Sequence, residues 1–367
     1  MLNNKTIAVV VPAFNEEKQI SFVIETVPVF VDRIVVVNDG SMDKTEEVVK
    51  KLWVSKLNDS LFPITELKAV RKNRFNESES VLFDLNIIEK KYFAPSEVIN
   101  KDESNDRIIL INHSKNSGVG AAVATGYKWC KDHNIDCVVK IDGDGQMDPS
   151  ELINVCSPII YDDVDYVKGN RLLHASSSVF IPKVRLIGNS ILSILTKIAS
   201  GYWRVSDTQT AYTAISKSAI NSIRLYELYN SYGYPNDILV KLNICNSTIR
   251  EIQIKPVYGI GEKSKMKIRK VIPSVALLLF KGFFKRIWGK YFIKDFHPLF
   301  ILYHLSFVLF ILCIPFGINI IKYLTGEITG DKPILNSLMF MFLFISAFQS
   351  LLFAMWMDIQ DNERLYK

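Results

Sequence analysis

Two long apolar stretches constrain the fold of this chain more than any other feature. They cover residues 299–321 and 334–357, and neither contains Asp, Glu, Lys or Arg. Because about 20 apolar residues in a helix span the hydrocarbon core of a bilayer, each stretch is long enough to cross a membrane. The link between them is short, so the sequence predicts a hairpin of two transmembrane helices, within 298–358, with both ends on one side.

The cations around the hairpin predict its orientation. Residues 263–294 contain ten Lys and Arg and no acid, and the tail 359–367 adds two cations. The link between the two stretches contains only two cations, Lys322 and Lys332. Because Lys and Arg collect on the cytoplasmic side of a membrane, we expect a cell-membrane protein whose hairpin ends, tail and preceding domain are cytoplasmic.

The segment 263–297 is interpreted as basic, amphipathic and juxtamembrane. It mixes Leu, Phe, Trp and Tyr with its cations, as helices in the headgroup layer do. The basic excess is local and therefore indicates an anionic lipid surface, with no nucleic acid as partner. The mean hydropathy of +0.14 is too high for a plain soluble enzyme.

The start of the chain and its cysteines fit a cytoplasmic domain. The apolar run 7–11 is too short for a secretory signal. The five cysteines form no CxxC pair, which fits a reduced compartment without structural zinc. Residues 1–262 are therefore expected to form a domain that stays in the cytoplasm.

Apolar runs alternate with helical patterns through residues 1–262. The runs 6–11, 33–37, 108–111 and 138–141 are rich in β-branched residues, and most are followed by a turn and an amphipathic stretch. This alternation predicts an α/β fold with a mostly parallel sheet. The pattern fails at about 54–107, which we interpret as a partly helical surface insertion.

The run 138–141 ends in Asp142-Gly143-Asp144-Gly-Gln146. Two carboxylates at the carboxyl end of a strand lie where α/β sheets bind ligands, and Gln146 can add a neutral oxygen to a site for a hard divalent cation. Alone, such a pair is also typical of a solvated turn. Asp39 and Arg171 are expected at other strand ends.

Two further features have two interpretations each. The glycines around 116–126 follow a strand and open a helix, which suits phosphate binding by main-chain amides and equally suits close packing of backbone. Asp237 begins a helix, where a capping role and a catalytic role both fit.

Taken in order, the motifs resemble the inverting family 2 glycosyltransferases with the GT-A fold. The later motifs and the hairpin are similar to the branch that transfers a sugar to polyprenyl phosphate, the dolichyl-phosphate-mannose synthase type. The motifs are Pro12-Ala-Phe-Asn-Glu16, Asn38-Asp39-Gly-Ser-Met-Asp43, Asn116-Ser-Gly-Val-Gly-Ala-Ala, Asp142-Gly-Asp144-Gly-Gln146, Gly169-Asn-Arg171, Arg185, Asp207-Thr-Gln-Thr and Gly261-Glu-Lys-Ser-Lys265.

The resemblance implies a role for each matching residue. The nucleoside of a UDP- or GDP-sugar is held by Pro12, Phe14, Glu16 and Asp39, and the donor also contacts Asp142, Gly143 and Lys265. Mg²⁺ or Mn²⁺ on the donor diphosphate is bound by Asp142, Asp144 and Gln146. Arg171, Arg185 and Lys265 face the donor and acceptor phosphates. The chain departs from the family at Asn38, often Asp, and at Tyr258 and Gly259, where an Arg is usual.

The expected reaction is transfer of a sugar to a polyprenyl phosphate at a lipid membrane. A phosphate acceptor is already an anion and needs positioning by cations, whereas a hydroxyl acceptor would need a base, for which Asp237 is the candidate. Transfer to such a hydroxyl and a non-catalytic membrane subunit are the alternatives. The sequence does not fix the base, the sugar or the oligomeric state, with a homo-oligomer one option.

Overall fold

A mixed sheet of eight strands forms the centre of the fold. The computed structural model describes residues 2–55, 64, 73–103, 105–177, 183–257, 268–327 and 333–367, apart from some side chains in α2, α6 and α9 below. Within that part, the strands are β1 (Ile7–Ala13), β2 (Arg33–Asn38), β3 (Ser96–Val98), β4 (Ile108–His113), β5 (Cys137–Lys140), β6 (Tyr166–Asn170), β7 (Thr213–Ser216) and β8 (Ile249–Gln253).

The strand order is β3-β4-β2-β1-β5-β7-β6-β8. β4, β2, β1 and β5 pair in parallel, as do β6 and β8. β7 runs antiparallel between β5 and β6, and β3 runs antiparallel at one edge. Six strands therefore share one direction and end at the same edge of the sheet, which confirms the mostly parallel α/β fold predicted from the sequence.

Helices cover both faces of the sheet and extend away from it. They are α1 (Ile20–Thr26), α2 (Thr45–Ser55), α3 (Glu77–Ile88), α4 (Val119–Asp132), α5 (Leu152–Tyr161), α6 (Lys183–Ser200), α7 (Lys217–Ser222), α8 (Tyr234–Ile244), α9 (Ile268–Trp288), α10 (Pro298–Leu324) and α11 (Ile334–Glu363). The predicted insertion contains α3 and the edge strand β3, and the pattern of its residues had not indicated that strand.

Two hydrophobic cores explain why the inner strands are continuous apolar runs. Successive residues of a strand face opposite sides of a sheet, so Val10 packs into the core with α4 and α8, whereas Val11 packs into the core with α1 and α5. Every residue of β1 is buried. Both faces of the central strands are thus covered, as is typical of parallel sheets.

α10 and α11 pack along each other as a hairpin. Ser306 Oγ donates a hydrogen bond of 2.9 Å to the Ala347 carbonyl oxygen between them. Both helices are long and apolar enough to cross a membrane, and apolar side chains such as Ile311 and Phe342 are exposed. The spans predicted from the sequence lie inside these two helices.

Candidate active site

The carboxyl ends of β1, β2 and β4 enclose a cleft of about 420 Å³. Ligands of open α/β sheets bind at this edge. Phe14, expected to contact the nucleoside, lies in its wall. The full lining is Phe14, Asn38, Gly40, Ser41, Met42, Glu46, Asn112, His113, Ser114, Lys115 and Asn116.

Asp39 fastens the loop before α4 to the end of β2. Its Oδ1 lies 2.7 Å from His113 Nδ1 and accepts a 2.8 Å bond from the Ser117 amide. Its Oδ2 accepts a 2.8 Å bond from the Gly118 amide. Burial raises the pKa of Asp39, but these bonds outweigh it and hold that pKa below its ordinary value. A contact between Asp39 and a nucleoside stays a prediction.

The glycines of this loop serve close packing of backbone. Gly118 has a φ of +97°, and a Cβ there would lie 2.3 Å from the Asn230 carbonyl oxygen. A Cβ on Gly120 would lie 1.9 Å from the Tyr229 carbonyl oxygen. The Gly120 amide donates a hydrogen bond of 2.8 Å to the Asn230 carbonyl oxygen. Of the two roles considered for these glycines, the structure shows the packing role.

The loop after β5 carries several carboxylates next to β1. We call residues 141–148 the acidic loop. Gly143 lies against β1, since a Cβ on it would be 3.3 Å from the Pro12 carbonyl oxygen. Asp144 Oδ1 accepts a 3.0 Å bond from the Gln146 amide. Burial, then the charge of Asp142 and more weakly that of Glu16, raise the pKa of Asp144 to about 6. Burial and the neighbouring carboxylates therefore disfavour the charged form of Asp144.

These residues fit a divalent cation shared with a diphosphate. In the described part of the chain, no cluster of three or more His, Cys, Asp and Glu could hold a metal alone. Mg²⁺ is commonly bound by one or two carboxylates together with substrate phosphates, which Asp142 and Asp144 satisfy. The side-chain oxygen of Gln146 as a third ligand stays a prediction.

Arg171 leaves the end of β6 and pairs with Asp207. Its Nε lies 2.8 Å from Asp207 Oδ2 and its Nη2 lies 3.0 Å from Oδ1. The amides of Ser206 and Asp207 donate to Glu251 of β8 at 2.8 and 3.1 Å. Glu251 therefore holds the loop that orients Arg171, a role that sequence reasoning missed.

Asp237 is buried in a structural arrangement at the start of α8. Its Oδ2 accepts a 2.9 Å bond from the Tyr229 amide and pairs with Lys241 Nζ. Its use as a base stays a prediction. The side chain of Arg185, in α6, and the whole of Lys265 lie outside the described residues.

Two buried lysines behind the acidic loop were not found from the sequence. Lys140 of β5 and Lys168 of β6 both lie opposite Thr213 of β7, so they share one face of the sheet. Lys140 Nζ contacts Asp142 Oδ1. Lys168 Nζ donates to the Thr210 carbonyl oxygen at 2.6 Å, and burial lowers the pKa of Lys168 to about 8. The sequence signal that could have indicated these buried lysines is the single Lys within each short apolar strand.

A cleft next to paired carboxylates, at the carboxyl edge of this sheet, is the arrangement expected of a glycosyltransferase with the GT-A fold. The model of the family described as "Glycosyl transferase family 2" matches residues 8–58 and 94–224. The chain belongs to this family, as the motifs had indicated.

Two relatives that are similar in sequence agree with this assignment. The chain is 30% identical over 256 residues to the UDP-N-acetylglucosamine–dolichyl-phosphate N-acetylglucosaminyltransferase of Methanococcus voltae, covering 70% of this chain and 87% of that protein. It is 23% identical over 300 residues to a dolichyl-phosphate beta-glucosyltransferase of Trichomonas vaginalis, covering 77% and 74%. Glucosyl-3-phosphoglycerate synthase from Mycobacterium tuberculosis aligns over 77% of this chain and 80% of that chain, with 15% identity and a TM-score of 0.47.

Proposed function

We propose that this glycosyltransferase transfers a sugar, with inversion, from a UDP-sugar to a polyprenyl phosphate such as dolichyl phosphate. The observation that carries the proposal is the attachment of the donor cleft and acidic loop to a hairpin able to cross a membrane. The Methanococcus relative, named for a UDP-sugar donor and a dolichyl-phosphate acceptor, supports both substrate classes.

The acidic loop would prepare the donor for departure of its nucleoside diphosphate. Asp142 and Asp144 would hold Mg²⁺ or Mn²⁺, which when bound offsets the charge that develops on the leaving group. Phe14 lines the cleft for the nucleoside. Asp207 holds the Arg171 guanidinium at the same edge of the sheet, where it can face a phosphate.

A phosphate acceptor suits this site better than a hydroxyl. A phosphate needs no base, because it is ionised near neutral pH. The carboxylate considered as a base, Asp237, is already bonded to the Tyr229 amide and Lys241. We also propose that both hairpin ends and the catalytic domain are cytoplasmic, with the exposed Lys281 and Lys294 close to the headgroups.

The test is transfer by the purified protein in lipid nanodiscs that contain polyprenyl phosphate. A panel of labelled UDP- and GDP-sugars is supplied with Mg²⁺, Mn²⁺ or a chelator. We expect one UDP-sugar to be used, only with metal, and the product to be cleaved by mild acid, as sugar phosphodiesters are. A product stable to mild acid would favour the hydroxyl acceptor, and no product with any donor would favour a non-catalytic subunit.

Asp144→Asn should abolish transfer, because it removes a charge that the metal requires. Asp148→Asn is the matched control: Asp148 belongs to the same loop, and its Oδ1 accepts a 2.9 Å bond from the Ser150 amide. Asn accepts the same bond, so this variant should remain active. Full activity in Asp144→Asn would contradict the proposed role of the acidic loop.

A further inference from the structure

A fully buried ion pair joins α9, which packs against the catalytic domain, to the second membrane helix. Arg286 of α9 and Asp358 of α11 are both 0% exposed. Arg286 Nη1 lies 2.7 Å from Asp358 Oδ1, and Nη2 lies 2.8 Å from Oδ2. The sequence had placed Arg286 among cations that face the membrane surface, but its guanidinium points into the protein.

The remaining donors of Arg286 bind the end of α6. Nε donates to the Ala199 carbonyl oxygen at 2.9 Å and Nη2 donates to the Ile198 carbonyl oxygen at 3.0 Å. A cation is favourable at a helix C-terminus. Gly201 makes room for it, since a Cβ there would lie 2.6 Å from Arg286 Nη1. The guanidinium thus links three helices through four hydrogen bonds.

A second layer of bonds lies beside the pair. Lys290 Nζ, also buried, lies 2.8 Å from Asn362 Oδ1 and 3.2 Å from Asp361 Oδ2. Asn243 Nδ2 of α8 donates to Asn362 Oδ1 at 2.7 Å. Tyr291 OH donates to Asp361 Oδ2 at 2.9 Å. We call Arg286, Asp358, Lys290, Tyr291, Asn243, Asp361 and Asn362 the bracket.

The chain after α11 then pairs with the sheet itself. The Ile249 amide of β8 donates to the Leu365 carbonyl oxygen at 2.7 Å, and the Lys367 amide donates to the Ile249 carbonyl oxygen at 3.2 Å. Leu365 is buried in the core that contains α4 and α8. The cytoplasmic end of α11 is therefore attached to the domain through the bracket and again by the residues that follow it.

We propose that the bracket fixes the distance and the angle between the bilayer and the carboxyl edge of the sheet, where the proposed active site lies. In this way it positions the site for a membrane-borne acceptor. This inference rests on the proposed function, because it requires an acceptor phosphate at headgroup level. Apolar residues would hold α9 and α11 together about as firmly as a buried ion pair. The directional hydrogen bonds of Arg286 in addition favour one relative arrangement of the two helices.

The test replaces the pair by apolar residues and compares two acceptors. Arg286→Met combined with Asp358→Leu leaves no unpaired charge, so folding should survive. The control is Lys285→Met, which removes an exposed cation, paired with Glu227 at 2.7 Å, from the adjacent position of α9. One acceptor is a long polyprenyl phosphate in nanodiscs, and the other is a short prenyl phosphate soluble in water.

With the long acceptor, kcat/KM of the double variant should fall on the order of 100-fold, the size of effect that a displacement of about 1 Å can produce. With the short acceptor, the double variant should match the wild type, and Lys285→Met should match it with both. Equal loss on both acceptors would mean that the bracket only stabilises the fold, and wild-type rates on both would mean that it positions nothing. Either result overturns the proposal.

A distance measurement separates this inference from the proposed function. A fluorophore on Val29→Cys, at an exposed position of the catalytic domain, reports energy transfer to acceptor dyes in the lipid headgroups. The double variant should show a changed or broader distance than the wild type and Lys285→Met. If the wild type transfers sugar to neither acceptor, the proposed function fails, while an unchanged distance in the double variant still overturns the role of the bracket.

Discussion

Asp39→Asn is expected to loosen the loop before α4, which lines the cleft at the ends of β1, β2 and β4. The carboxylate of Asp39 takes bonds from His113 and from the amides of Ser117 and Gly118. Asn has almost the same shape but offers one oxygen. If that oxygen keeps His113 and Ser117, the new NH₂ group faces the Gly118 amide, and two donors then oppose each other.

The magnitude follows from these three bonds. One buried amide left without an acceptor costs about 1–3 kcal/mol, and the other two bonds lose the gain from a charged acceptor, about 1 kcal/mol together. The free energy of unfolding should therefore fall by about 3 kcal/mol. For a domain of this size, that lowers Tm by about 6–12 °C.

The assay is thermal unfolding in nanodiscs, combined with calorimetric titration of UDP. Since Ser114 and Asn116 of the same loop line the cleft, UDP should also bind more weakly. The control is Asp148→Asn, because the Asp148 side chain accepts one main-chain bond, 2.9 Å from the Ser150 amide, at a helix start where Asn caps as well as Asp. A Tm of Asp39→Asn equal to that of the control would refute the reasoning.

Three further outcomes are expected. The pKa of Asp39 is lowered in the folded protein, so its contribution to stability is complete above about pH 4 and is lost as the pH falls through the folded pKa; the Tm difference between wild type and Asp39→Asn should shrink in acid. Gly120→Ala should lower Tm markedly, since its Cβ would meet the Tyr229 carbonyl oxygen at 1.9 Å, whereas Gly188→Ala, with nothing within 4 Å, should not. Mn²⁺ with UDP at about 100 times Kd should stabilise the wild type by about 2.7 kcal/mol and leave Asp144→Asn unchanged; an equal rise in both would contradict the metal site.

The sequence predicted the parts of the fold that follow from local patterns. The inner strands were visible as β-branched runs because both faces of the sheet are covered, and the hairpin was visible because residues 299–321 and 334–357 contain no charged side chain. β3 was not visible, since its residues are Ser, Glu and Val, with the first two exposed and the third partly buried. Its pairing with β4, which local composition does not encode, makes it a strand.

The sequence predicted which residues belong to the site. It did not predict the hydrogen bonds that hold them in place. Asp39 was found from its motif, but its partner His113 lies 74 positions away. Glu251 supports Arg171 from a different strand, without any motif of its own. Arg286 and Lys285 are neighbours of similar charge, and only the packing of α9 sends the first inward and the second outward.

The pairing of Leu365 and Lys367 with β8 bears on how the protein is made. A ribosome delivers Ile249 well before the residues that pair with it, and the apolar hairpin is synthesised in the interval. We expect that the free edge of β8, the outer strand of the sheet, remains unpaired until the hairpin has entered the bilayer. Only then can Leu365 and Lys367 pair with it. Maturation of the enzyme would then be linked to its insertion, and molecules that fail to insert would be left with an open sheet edge that quality-control proteases can recognise.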